Sequence, residues 1–148
     1  IVINQKFRRR RLVNFFLKDM KVVWIMGNDK SGNHQALRRI RSLLVEGDGQ
    51  AIIIAPHGTH NRPDLKGMKF REGFAIPCIQ AARAGVTVSV VPAIDIGATF
   101  RGMPAPGRRI GISFGTPFKV SGDDPRQGLT ASLESAVRGL LEEHRSLH

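Results

Sequence analysis

One cysteine stands in the whole chain, Cys78. No disulfide can close within it, so the fold must be held by its core, and such sparing use of cysteine fits a reducing compartment. No apolar run approaches the about 18–20 residues that a bilayer-spanning helix needs. No repeat, low-complexity tract or linker interrupts the 148 residues. They read as one domain, residues 1–148, long enough to bury a core. No signal peptide is visible, and the first residue is Ile1 rather than Met, which leaves room for a segment ahead of it. Acid is also scarce. Against 23 Lys+Arg stand 12 Asp+Glu, a net charge of +11, and that balance calls for an anionic partner: a lipid surface, a phosphorylated substrate or nucleic acid.

What is present is organised around Ala51 to Phe74. Ala51 to Ala55 are small and β-branched apolar residues that suit a strand buried on both faces. Pro56 stops it, having no N–H for a ladder. A polar loop follows, His57-Gly58-Thr59-His60-Asn61-Arg62, then the basic residues Lys66, Lys69 and Arg71, then Gly73. A buried strand running into such a loop brings side chains to the carboxyl edge of a sheet, where open α/β folds bind ligands.

The flanking chain alternates helices and strands. Asn4 to Met20 reads as an amphipathic helix, with Phe7, Leu12, Phe15 and Phe16 set among Arg8, Arg9, Arg10 and Arg11. Two readings fit it: a helix lying among lipid headgroups, or a surface helix with its apolar side on the core. Lys21–Met26 is a strand and Gly27-Asn28-Asp29-Lys30 a turn. A helix capped by Ser31 or Asn33 runs to Glu46 on Ala36, Leu37, Ile40, Leu43 and Leu44, and Gly47-Asp48-Gly49 turns the chain into the Ala51 strand. Gly73–Ala84 is the next helix, in which Pro77 is tolerated only if it lies in the first turn, with Cys78 on its core side and Gly85 as C-terminal cap. Val86–Ala93 is a strand, Asp95–Gly107 a loop, Arg108–Phe114 a strand and Gly115–Phe118 a turn. A last amphipathic helix over 129–147 has Leu133, Ala136, Val137, Leu140 and Leu141 as its buried stripe. The whole predicts an α/β fold, a mostly parallel central sheet flanked by helices.

Several of these segments, in this order, resemble the glycerolipid (lysophosphatidic acid) acyltransferase family. In that family a strand runs into Pro-Glu-Gly-Thr-Arg-Ser and a Phe-Lys-Lys-Gly motif follows. Pro56, Gly58 and Thr59 match the first motif; Phe70, Arg71 and Gly73 match the second. His57 and His60 stand at the family's Glu and Arg. The strand ending Val91-Pro92 is similar to a fourth block that shapes the acyl-chain pocket, and the resemblance runs from about Val2 to Val120. It implies a glycerolipid-acyltransferase-like fold lacking its first part, and acyl transfer from acyl-CoA or acyl carrier protein to a lipid hydroxyl, with no further cofactor. It also implies a protein peripheral to the cytoplasmic face of a membrane. Where the family has an Asp-Arg whose arginine holds phosphate, this chain has Gly27-Asn28, with Lys30 near enough to replace it.

The family's base is the histidine of a His-x-x-x-x-Asp motif, whose aspartate orients the ring. No histidine here has an aspartate five positions on, so the resemblance implies a motif upstream of Ile1. His57 keeps two readings: a loop histidine that alters the acceptor, or a relocated base oriented by Asp64 or Asp95. His57, His60 and Asp64 lack a fourth metal ligand, and no metal is expected. His57, Gly58, Thr59, His60, Arg62, Lys69 and Arg71 are the candidate group for the acceptor's or CoA's anionic moiety. A solvated basic surface is the alternative for the cations. Arg8 to Arg11 are the candidate contact with an anionic membrane. The basic residues are not interleaved with aromatics on a strand face, so no specific nucleic-acid partner is expected.

Overall fold

The computed structural model of the chain describes residues 2–4, 23–25, 30–47, 51–54, 70–96 and 111–146. Two short strands, β1 (Val2–Asn4) and β2 (Val23–Ile25), pair in parallel, with Val2 opposite Val23 and Asn4 opposite Ile25. Asn4 therefore belongs to a strand rather than to the expected helix over 4–20, whose remaining residues lie outside the described ones. Helix α1 (Lys30–Glu46) follows β2 and packs against it. It starts ahead of both anticipated caps, so Ser31 and Asn33 lie inside its first turn. Its apolar face is as the spacing predicts: Ala36, Ile40 and Leu43 are buried, with Leu37 and Leu44 packed beside them.

Residues 51–54 correct the sequence reading. They form no ladder, and they alternate in burial, Ile52 and Ile54 half-buried against α1 while Ile53 is 67% exposed. A run of β-branched residues favours burial, but it takes a neighbouring edge to make a strand, and composition does not specify one. The expectation of a strand buried on both faces is thus not met.

A 3-10 turn, Glu72–Phe74, leads directly into α2 (Ala75–Arg83). Pro77 sits in the first turn of α2, where a missing N–H costs no intrahelical bond, and it is fully buried. Phe74, Ala75, Cys78, Ile79 and Ala81 form the centre of the larger apolar cluster. The helix ends in a Schellman motif. Gly85 N–H donates to the Ala82 carbonyl at 3.0 Å and Val86 N–H to that of Ala81 at 3.2 Å, with Gly85 at φ 85°, a conformation glycine adopts without strain.

The next segment, expected as one strand over 86–93, is two. Strand β3 (Val88–Val90) and β4 (Ala93–Ile96) are separated by Val91-Pro92 and pair with different partners. β4 is antiparallel to β5 (Gly111–Phe114), with Ala93 opposite Phe114 and Asp95 opposite Ile112. β3 is antiparallel to β6 (Phe118–Val120), with Val88 opposite Val120. Pro92 has no N–H to continue β3, while its carbonyl accepts from Gly115 N–H at 2.8 Å. The chain changes sheets there. Asp95, placed by the sequence at the start of a loop, is in β4, and Phe118, placed in a turn, begins β6. The predicted mostly parallel central sheet is corrected as well. Among the described residues, short antiparallel pairs accompany the single parallel β1–β2 pair, because Pro92 divides the strand and each half returns to a chain segment running back beside it.

Helix α3 (Arg126–Ser146) closes the larger cluster with Leu129 and Leu133, and Val137 packs at its margin. Its entry is a turn held by side chains: Ser121 N–H donates to Asp124 Oδ2 at 2.7 Å, and Asp123 N–H to Ser121 Oγ at 3.2 Å. Leu44 and Ile54 touch both clusters, so α1 and the α2–α3 core share a boundary.

Candidate functional site

Phe70 to Gly73, the Phe-Arg-x-Gly segment, is where the structure describes the candidate site. Phe70 lays its ring against the larger cluster. Arg71 follows in extended conformation, φ −89° and ψ 135°, as the residue before the 3-10 turn, and it is exposed. Phe74 then returns to the core at 7% exposure. Two buried or half-buried phenylalanines thus hold the backbone on either side of an outward arginine. A Cβ at Gly73 would meet nothing within 4 Å. Packing does not require glycine there, and the space above that backbone is open.

Helix α3 adds a polar anchor. Phe70 N–H donates to Glu134 Oε2 at 3.3 Å across 64 residues of sequence. The other oxygen, Oε1, accepts from Arg138 Nη2 at 2.8 Å and from Arg138 Nε at 3.3 Å. Glu134 is 26% exposed and Arg138 42%, so the pair is partly shielded from water. The sequence reading does not single out Glu134, which lies off the apolar stripe of the last helix.

Of the candidate acceptor-binding group, Arg71 alone lies among the described residues, and Asp95, the suggested partner of His57, is in β4. His57, Gly58, Thr59, His60, Arg62 and Lys69 lie outside the described residues, as do Asp64 and Arg8, Arg9, Arg10 and Arg11. Lys30 opens α1 just beyond the carboxyl end of β2, at the end of a helix that favours anions. No group of three or more His, Cys, Asp or Glu side chains with metal-binding geometry occurs among the described residues. Cys78 is buried, and burial pushes its thiol from 9.0 to about 11. It stays protonated at neutral pH and serves as a small core residue.

These features define a mixed helix and strand domain that projects a Phe-Arg-x-Gly segment from its core. The Acyltransferase family model matches residues 1–94, and the chain belongs to that family, whose general chemistry is acyl transfer. No curated protein and no solved structure matches the chain. Among the described residues no helix is long and apolar enough to cross a membrane.

Proposed function

We propose that this domain serves the transfer of an acyl group from acyl-CoA or acyl carrier protein to the hydroxyl of a lysophospholipid or related lipid. The observation that carries this reading is the Acyltransferase match over residues 1–94, which includes the whole Ala51–Phe74 stretch. The anionic end of the acceptor is assigned to the loop of His57, Gly58, Thr59, His60 and Arg62 together with Lys69 and Arg71. Arg71 supports this by being exposed on a backbone fixed at both sides. A guanidinium suits a phosphate because its planar fork donates two parallel hydrogen bonds.

In the reaction, a base takes the proton of the acceptor hydroxyl, and the oxygen attacks the thioester carbonyl carbon. The new C–O bond forms, the C–S bond breaks, and the proton passes on to the departing thiolate. The base is assigned to the histidine of a His-x-x-x-x-Asp motif outside this sequence. Arg8, Arg9, Arg10 and Arg11 are assigned to an anionic membrane surface on the cytoplasmic side, where polybasic segments gain about 1 kcal/mol per charge. One observation favours a second reading, a non-catalytic lipid- or anion-binding relative: no histidine of this sequence has an aspartate five positions on.

Acylation of a lysophosphatidate acceptor with palmitoyl-CoA, measured on the full-length protein, tests the first reading. Arg71→Ala should raise the acceptor KM roughly tenfold or more with little change in kcat, the loss of about 1.5–3 kcal/mol for a charged hydrogen-bonding group. Acceptor binding without turnover supports the second reading, and an unchanged KM in Arg71→Ala removes that residue from the site.

A further inference from the structure

We infer that Glu134, on the last helix, is a positioning residue for Arg71. The inference rests on the proposed role of Arg71 in acceptor binding and extends it to a part of the chain beyond the family match. An exposed arginine carries several rotatable bonds, so its reach is set by how firmly its root is held. The root of Arg71 is the peptide that links it to Phe70. On the far side the backbone is tied by Phe74 in the core and by Ala75 N–H, which donates to the Glu72 carbonyl. On the near side the Phe70 ring rests on the cluster that contains Leu129 and Leu133 of α3. Ring packing alone leaves the peptide plane free to rock about the side chain. Glu134 removes that freedom by accepting the Phe70 N–H at 3.3 Å.

The carboxylate is itself oriented. Arg138, one helical turn on, takes Oε1 through Nη2 at 2.8 Å and Nε at 3.3 Å, which turns Oε2 toward the Phe70 amide. A lone i,i+4 surface pair is worth a few tenths of a kcal/mol. Here its effect is directional, fixing which carboxylate oxygen faces the incoming segment. α3 thereby sets the direction in which Arg71 leaves the fold.

The test compares Glu134→Ala, Glu134→Gln, Arg71→Ala and the double variant Glu134→Ala/Arg71→Ala in the full-length protein. It measures the acceptor KM and kcat with lysophosphatidate and palmitoyl-CoA, and amide hydrogen exchange over residues 70–74. Glu134→Ala should raise the acceptor KM about 3–10-fold with kcat little changed, a coupling of the usual size for residues in one network. Exchange over 70–74 should quicken while the centre of α3 stays protected. Glu134→Gln keeps one accepting oxygen for the Phe70 amide but turns an NH2 donor toward Arg138, so it should recover only part of the loss. In the double variant the KM should match that of Arg71→Ala alone. If Arg71→Ala raises KM but Glu134→Ala leaves it unchanged, or the two effects simply add, the positioning role is overturned while the acceptor site stands. If Arg71→Ala itself has no effect, the reading of the site fails, and this inference fails with it.

Discussion

Gly122 offers a sharp test of how the turn before α3 is seated. A Cβ built there would lie 2.8 Å from Arg83 Cγ and 3.3 Å from both Arg83 Cα and Arg83 N. Two of those three atoms are backbone at the end of α2, so rotating the arginine side chain relieves the shortest contact and leaves two tight ones. The 121–124 turn must instead retreat from the helix. Retreat stretches the bond in which Arg83 Nε donates to the Gly122 carbonyl at 2.7 Å. Overpacking of this kind costs about 1–3 kcal/mol. The turn is near the surface and can yield, which places Gly122→Ala at about 1–2 kcal/mol, a Tm lower by roughly 2–8 °C for a chain of this length. Urea unfolding followed by circular dichroism measures it. Gly139→Ala is the control, since a Cβ there meets nothing within 4 Å in the interior of α3, and alanine should add up to about 1 kcal/mol. A Gly122→Ala protein as stable as the parent, beside a normal Gly139→Ala, would refute the steric reasoning.

Leu133→Ala removes a side chain at 7% exposure from the cluster shared by α2 and α3. It should cost about 2–5 kcal/mol in urea unfolding, and a loss below 1 kcal/mol would mean that α3 does not cover this core. The raised thiol of Cys78, about 11 against an ordinary 9.0, gives a signed pH dependence. In the unfolded chain the thiol ionises first, so its contribution is whole below pH 9 and is lost as pH climbs through 11, by up to about 3 kcal/mol. Stability curves of the parent and Cys78→Ala should converge over that window, and parallel curves would contradict the burial of the thiol.

Among the described residues, the helices over 30–46, 75–83 and 126–146 were the legible part of this sequence. The spacing of Ala36, Ile40 and Leu43 is enough to place α1, and Gly85 is enough to end α2, because both depend on neighbours a few residues away. α3 begins at Arg126, earlier than Leu129, since the Ser121–Asp124 turn prepares its start and polar turns carry no apolar period. Strand pairing was not legible. Nothing local in Val86 to Ala93 reveals that Pro92 hands the chain from one partner to another, nor that β6 waits at Phe118. For the site, the Phe-Arg-x-Gly pattern singles out Arg71, and the structure shows it exposed between Phe70 and Phe74. Glu134 escaped notice because it reaches Phe70 through a backbone amide, which has no sequence signature.

The Pro92 handover also bears on where this domain can be cut. Both β3 and β4 are mated to segments that come after Ile94, the last residue of the family match, and the match stops two residues into that second pairing. A piece trimmed at that limit would emerge with raw hydrogen-bonding edges and with the greasy flank of Phe74, Cys78 and Ile79 stripped of its lid. Such a fragment is a recipe for clumping rather than for assay. The stretch that keeps both pairings and the lid includes β5, β6 and α3 through Val137.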